Sequence, residues 1–113
     1  MRTLNRAAFI IRPRQPYLQW AASIDDEAPA AVSELQKGVS VYLVPEDPTG
    51  TAETPPLEDY YAAIFEMELE AWSTDEDDWP QDRDLATFNA WFEVAGESMV
   101  IDLAEDAVEV EDT

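Results

Sequence analysis

The sequence predicts an α+β fold, a single small sheet of three to four strands with helices packed on one face, and three observations carry that prediction. Two strand-length apolar runs, Leu4 to Arg12 and Val39 to Val44, alternate with segments whose apolar residues recur at helical spacing. The order reads strand, helix, strand, helix, helix, strand, with an optional last strand over Ala107 to Glu111. The 113 residues are 46% hydrophobic with only three Gly, which supports one domain over residues 1–113 and one core in spite of a net charge of −20.

The first strand, LNRAAFIIR, places Ala7, Phe9 and Ile11 on one face and Leu4, Ala8 and Ile10 on the other, with Arg6 and Arg12 sharing the parity of Ile10. Pro13 and Pro16 end it, and Pro16 suits the first turn of a helix carrying Tyr17, Trp20, Ala21 and Ile24. That helix is expected to stop near Asp25. A short helical turn is expected from Ala30 to Gln36, ended by Gly38.

The run VSVYLV, Val39 to Val44, is rich in β-branched and aromatic residues, is bounded by Gly38 and Pro45, and is expected to be the central strand. Residues 45–56, PEDPTGTAETPP, read as a mobile loop. Thr54 offers an N-cap with Pro55 in the first helical position, opening a helix whose broad apolar face gathers Leu57, Tyr60, Tyr61, Ile64, Phe65, Leu69 and Trp72.

An acidic connector follows, with Asp75, Glu76, Asp77 and Asp78 beside Trp79 and Pro80. Asp82 or Asp84 then caps a third helix with Leu85, Phe88 and Phe92 on its inner face and Gly96 as its stop. Ser98 to Leu103 reads as a strand, and residues 109–113 are expected to fray.

With no Cys and no His, the chain has no disulfide, thiolate or imidazole metal site, Cys nucleophile or His base. No Gly-rich phosphate loop exists, and an EF-hand counted from Asp75 fails because Pro80 and Ala86 fall where Gly and Glu are required. No catalytic residue, metal ligand or cofactor is assigned. The apolar run Ala7 to Ile11 is too short for a secretion signal and no segment reaches the length of a membrane span, so a cytoplasmic location is expected.

The first fourteen residues carry +4 and the rest −24. Such a field repels nucleic acid and anionic membranes and attracts basic surfaces. The candidate partner-binding residues are therefore Asp75, Glu76, Asp77, Asp78 and Trp79, facing a basic protein. Trp79 has two readings, a plug between the flanking helices or an interface anchor, with the plug favoured.

Glu68 falls near the middle of an apolar helical arc, where a carboxylate must be paired or protonated. Its readings are an ion pair with Arg6, Arg12 or Arg83, which is favoured, and a functional carboxylate.

The segments RAAFIIRPRQPYLQW, VSVYLVPE, IFEMELEAW, DDWPQDRDLATFNAWFEV and SMVIDLAED, taken in that order, resemble a family of small uncharacterised bacterial proteins over most of the chain. The resemblance implies a bacterial cytoplasmic domain and no assigned activity. Three functional expectations remain: a non-enzymatic acidic protein docking on a basic protein surface, a domain that binds a small molecule or divalent cation, or a globular protein whose acidity, with five Arg to one Lys, adapts it to a salty cytoplasm.

Overall fold

A computed structural model describes residues 2–24, 38–46 and 56–110, and they form the expected α+β architecture. In chain order the elements are β1 (Arg2–Leu4), β2 (Arg6–Pro13), α1 (Gln15–Ile24), β3 (Ser40–Pro45), α2 (Tyr61–Trp72), α3 (Leu85–Trp91), β4 (Phe92–Glu97) and β5 (Val100–Asp102). Single 3-10 turns at Leu57–Asp59 and Glu76–Asp78 precede α2 and follow it. The helical turn expected from Ala30 to Gln36, the Thr54 cap and most of the loop over residues 45–56 lie outside the described residues, as do residues 111–113 of the expected frayed end.

Two antiparallel ladders replace the single sheet expected from the sequence: a three-stranded sheet in the order β3-β2-β4 and a two-stranded ribbon of β1 and β5. The break falls at Asn5. Ala8 lies opposite Glu97 and Leu4 opposite Val100, so four steps along one strand match three along the other. That one-residue slip is a bulge, which leaves a residue unpaired and bends the strand. Beyond it, Arg2 lies directly opposite Asp102 and their side chains form an ion pair of 2.8 Å.

Strand β2, not β3, is central, and among the described residues β3 lies at the sheet edge. The apolar run of β3 had suggested a middle position, yet apolarity on both faces is a statement about covering layers, not about neighbouring strands. The helix expected to run through Phe92 ends at Trp91, and Phe92 is extended at φ −136° and ψ 143°. Phe92 fits both periods, four residues after Phe88 and two before Val94; pairing with Pro13 at the end of β2 decides for the strand. The optional strand over Ala107 to Glu111 does not form in its described part. Asp102 Oδ1 accepts the Ala104 N–H and turns the chain, leaving Val108 and Val110 exposed.

The helices cover one face of the three-stranded sheet. Ala7, Phe9 and Ile11 of β2, Val44 of β3 and Phe92 of β4 meet Tyr17 and Leu18 of α1, Ile64, Phe65 and Leu69 of α2, and Phe88 of α3. Phe65 stands edge-on to Phe88 and Phe92, with ring centroids 5.5 and 5.6 Å away, the arrangement that aromatic quadrupoles favour. Burial of each such phenyl ring supplies about 1.5–3 kcal/mol of the drive to fold.

Local signals hold the short helices. Pro16 sits in the first turn of α1, and Asp84 Oδ1 accepts the Thr87 N–H at 2.8 Å, the N-cap expected for α3. Capping the charged carboxylate in this way holds the Asp84 pKa below the usual carboxylate value. The Arg14 N–H donates to Trp91 O, tying the end of β2 to the end of α3.

Candidate functional site

Two corners carry the residues singled out above, and both are held by polar bonds to apolar elements. The first lies between α2 and the edge strand. Glu68 stands among Ile64, Phe65 and Leu69, which turn toward the sheet, and this brings its half-buried carboxylate over β3. Alternate residues of a strand share a face, so Ser40 and Tyr42 present their hydroxyls together. Tyr42 Oη donates to Glu68 Oε2 at 3.0 Å and Ser40 Oγ to the same oxygen at 3.2 Å. Tyr17 Oη of α1 donates to the Glu68 backbone carbonyl at 2.7 Å, so three elements converge on one residue.

Burial disfavours the ionised carboxylate and pushes the Glu68 pKa up, while the bonds from Tyr42 and Ser40 pull it back. The same burial, aided by the nearby carboxylate, drives the phenols of Tyr17 and Tyr42 well above their ordinary value. All three groups are linked: a charge on Glu68 is tolerated because neutral hydroxyls face it.

The ion pair expected with Arg6, Arg12 or Arg83 is not made; among the described residues hydroxyls take its place. Strand parity explains two of the three. Arg6 and Arg12 alternate with the helix-facing Ala7, Phe9 and Ile11, and so stand on the opposite side of the sheet from α2. Arg6 donates to the backbone and side-chain oxygens of its neighbour Asn5. Arg83 donates to Pro80 O and lies over the Trp79 ring, its guanidinium carbon 5.7 Å from the centroid.

Beside this corner an apolar groove of about 180 Å³ is lined by Tyr42, Val44, Tyr60, Ile64 and Met67, among others, but not by Glu68. The carboxylate is instead turned onto β3, where its two hydrogen bonds join α2 to that strand. Sequence reasoning found Glu68 and missed its partners, because the search was for cations; the signal available was the shared parity of Ser40, Tyr42 and the buried Val44.

The second corner is the acidic connector between α2 and α3. Asp75 Oδ1 accepts the Asp77 N–H at 3.0 Å, and Ser73 Oγ donates to Asp78 Oδ2 at 3.0 Å, so the short turn is closed by its own side chains. Two indoles then fasten it: Trp20 of α1 donates Nε1–H to Asp78 O at 2.8 Å and Trp79 to Ser73 O at 2.9 Å. A third, Trp72, donates to Ala21 O at 3.0 Å and ties the end of α2 to α1.

Trp79 is half-buried against the core, which gives the plug geometry expected of it. Asp75, Glu76, Asp77 and Asp78 remain exposed, and the first three line an open hollow of about 460 Å³ together with Glu70, Thr74 and Trp79. Among the described residues no group of three or more carboxylates is arranged to hold a metal ion. The one ion pair among them, Arg2 with Asp102, lies in the β1–β5 ribbon and not in this connector. No helix among the described residues is long and apolar enough to cross a membrane.

Set against known proteins, the chain matches no family model, no curated protein and no solved structure.

Proposed function

We propose that this chain is a non-enzymatic interaction protein that docks on a basic protein surface through the acidic connector. The observation that carries the reading is the fastening of that connector. Its four consecutive acids are exposed, while the backbone around them is held by the indoles of Trp20 and Trp79 and the Asp78 carboxylate by the Ser73 hydroxyl. A charge cluster held in one shape loses little freedom on binding, which favours affinity for a partner with matched cations. The hollow is lined by the carboxyl-bearing Glu70, Asp75, Glu76 and Asp77, chemistry suited to a lysine or arginine side chain.

Binding to an immobilised arginine-rich peptide tests this reading. The triple variant Glu76→Gln, Asp77→Asn, Asp78→Asn is expected to lose at least about tenfold in affinity at ~0.15 M salt. Neutralising Glu93, Glu105 and Glu109, exposed carboxylates elsewhere, is expected to change it much less. Equal losses in the two variants would reduce the binding to diffuse attraction and remove the site.

A further inference from the structure

Strand β3 ends the sheet, and among the described residues no strand pairs with its outer edge. Successive residues of a strand turn their side chains to opposite faces. The apolar groove of about 180 Å³ is nevertheless lined by Tyr42, Leu43, Val44 and Pro45 in unbroken succession. A space that touches both parities runs along the edge of the strand and not over one face. The inner edge belongs to β2, none of whose residues lines the groove, so the groove follows the outer edge. Its far wall is a stripe at helical spacing, Tyr60 and then Ala63, Ile64 and Met67 of α2. Alternate residues of an edge strand direct N–H and C=O groups outward, where they call for partners. Pro45, with no N–H to give, closes the run.

Backbone chemistry and charge together name the occupant. The rim is acidic: Glu46 follows β3, Asp59 precedes Tyr60, and Glu66 stands one turn beyond Ala63 on α2, all three exposed. Neither β3 nor α2 carries a cation. A small apolar molecule fills the groove but leaves the amides and carbonyls of the edge without partners. The β3 edge of a second copy is rimmed by the same acids, and two such rims repel. A basic segment in extended conformation answers the backbone, the groove and the charge at once.

We propose that the outer edge of β3 and the groove beside it bind an extended basic peptide, which adds a fourth strand to the sheet and sends an apolar side chain between β3 and α2. Main-chain pairing supplies affinity in this mode, and the groove selects which side chain is accepted. The site is separate from the acidic connector.

Calorimetric titration of the full chain with a capped KLKLKLK heptapeptide at ~0.3 M NaCl, where diffuse attraction is screened, tests the proposal. The peptide is expected to bind one to one, and the same peptide methylated at its backbone nitrogens, which keeps every charge and side chain, to bind at least tenfold more weakly. Ala63→Phe fills the groove from an exposed helix position and is expected to cost at least tenfold with an unchanged circular dichroism spectrum. The connector triple variant should stay within about threefold of the parent at this salt. No binding at millimolar peptide overturns the proposal. Equal binding of the methylated peptide overturns it by removing the strand pairing, and an Ala63→Phe chain that binds as tightly as the parent does so by placing the contact outside the groove. A tenfold loss in the connector triple variant moves the peptide to the connector and likewise overturns it. Either reading can therefore fail without the other.

Discussion

The two faces of the β3-β2-β4 sheet are built from alternating residues of the same strands and differ in kind. The helix side takes Phe9, Ile11 and Phe92 and locks them against Phe65 and Phe88 with almost no exposed surface. The other side places the exposed Val41, Leu43 and Ala95 beside a half-buried Ile10 and a buried Ala8, all aliphatic. Interdigitated rings fix the core on the first side, whereas Val41 and Leu43 on the second are more than half exposed. The core is thus written on one parity of these strands and exposed aliphatic surface on the other.

The largest expected effect sharpens that contrast. Phe65→Ala removes a fully buried ring that touches three other aromatics, and should cost about 3–5 kcal/mol in urea unfolding. Val41→Thr on the other side should stay within about 0.5 kcal/mol. Comparable losses at the two positions would break the comparison outright.

Tyr42→Phe comes next, since it takes a donor from the half-buried Glu68 carboxylate and should cost about 1–3 kcal/mol at neutral pH. Burial raises the folded-state pKa of Glu68, so its contribution to stability is full below the ordinary value of 4.5 and is lost as pH rises through the folded value. The Tyr42→Phe defect should therefore shrink on acidification toward that value, and Glu68→Gln in the same background should recover most of it. Chemical denaturation at two pH values reads both; a defect independent of pH would detach the hydroxyl from the carboxylate.

Alkaline titration probes the same corner from the other side. The phenols of Tyr17 and Tyr42 are raised in the folded chain, so their contribution holds below the unfolded value of 10.0 and drains away as pH climbs toward the folded values. Tyrosinate absorbance should show these two phenols ionising only together with loss of the helical signal. Smallest is Asp84→Ala, which removes the cap of the seven-residue α3 and should lower the melting temperature modestly, with Asp84→Asn close to the parent.

Much of the helix side was legible because local rules sufficed there. Pro16, the Asp84 cap and the apolar arc of α2 each state their role within a few residues. Glu68 was legible as an anomaly for the same reason. Its partners were not, because a helix wheel tells which residues point inward and not which strand lies beneath them. The connector's acids were visible as charge, but their fastening by Trp20 depends on α1 reaching across to Asp78, a contact no local pattern contains. The misplacement of β3 has a related origin. Its composition recorded two apolar faces, and composition does not say which strands lie on either side.

The central position of β2 also sets an order of events during synthesis. This strand, AAFII at its middle, is made well before its neighbour Ala95 on β4. Until β4 emerges, one long edge of β2 has nothing to pair with, and pairings so distant in sequence close slowly. An unpaired apolar strand is a template for wrong partners. The acids between β3 and β4, crowded into Glu46 to Asp84, give two such unfinished chains a like charge that opposes their meeting.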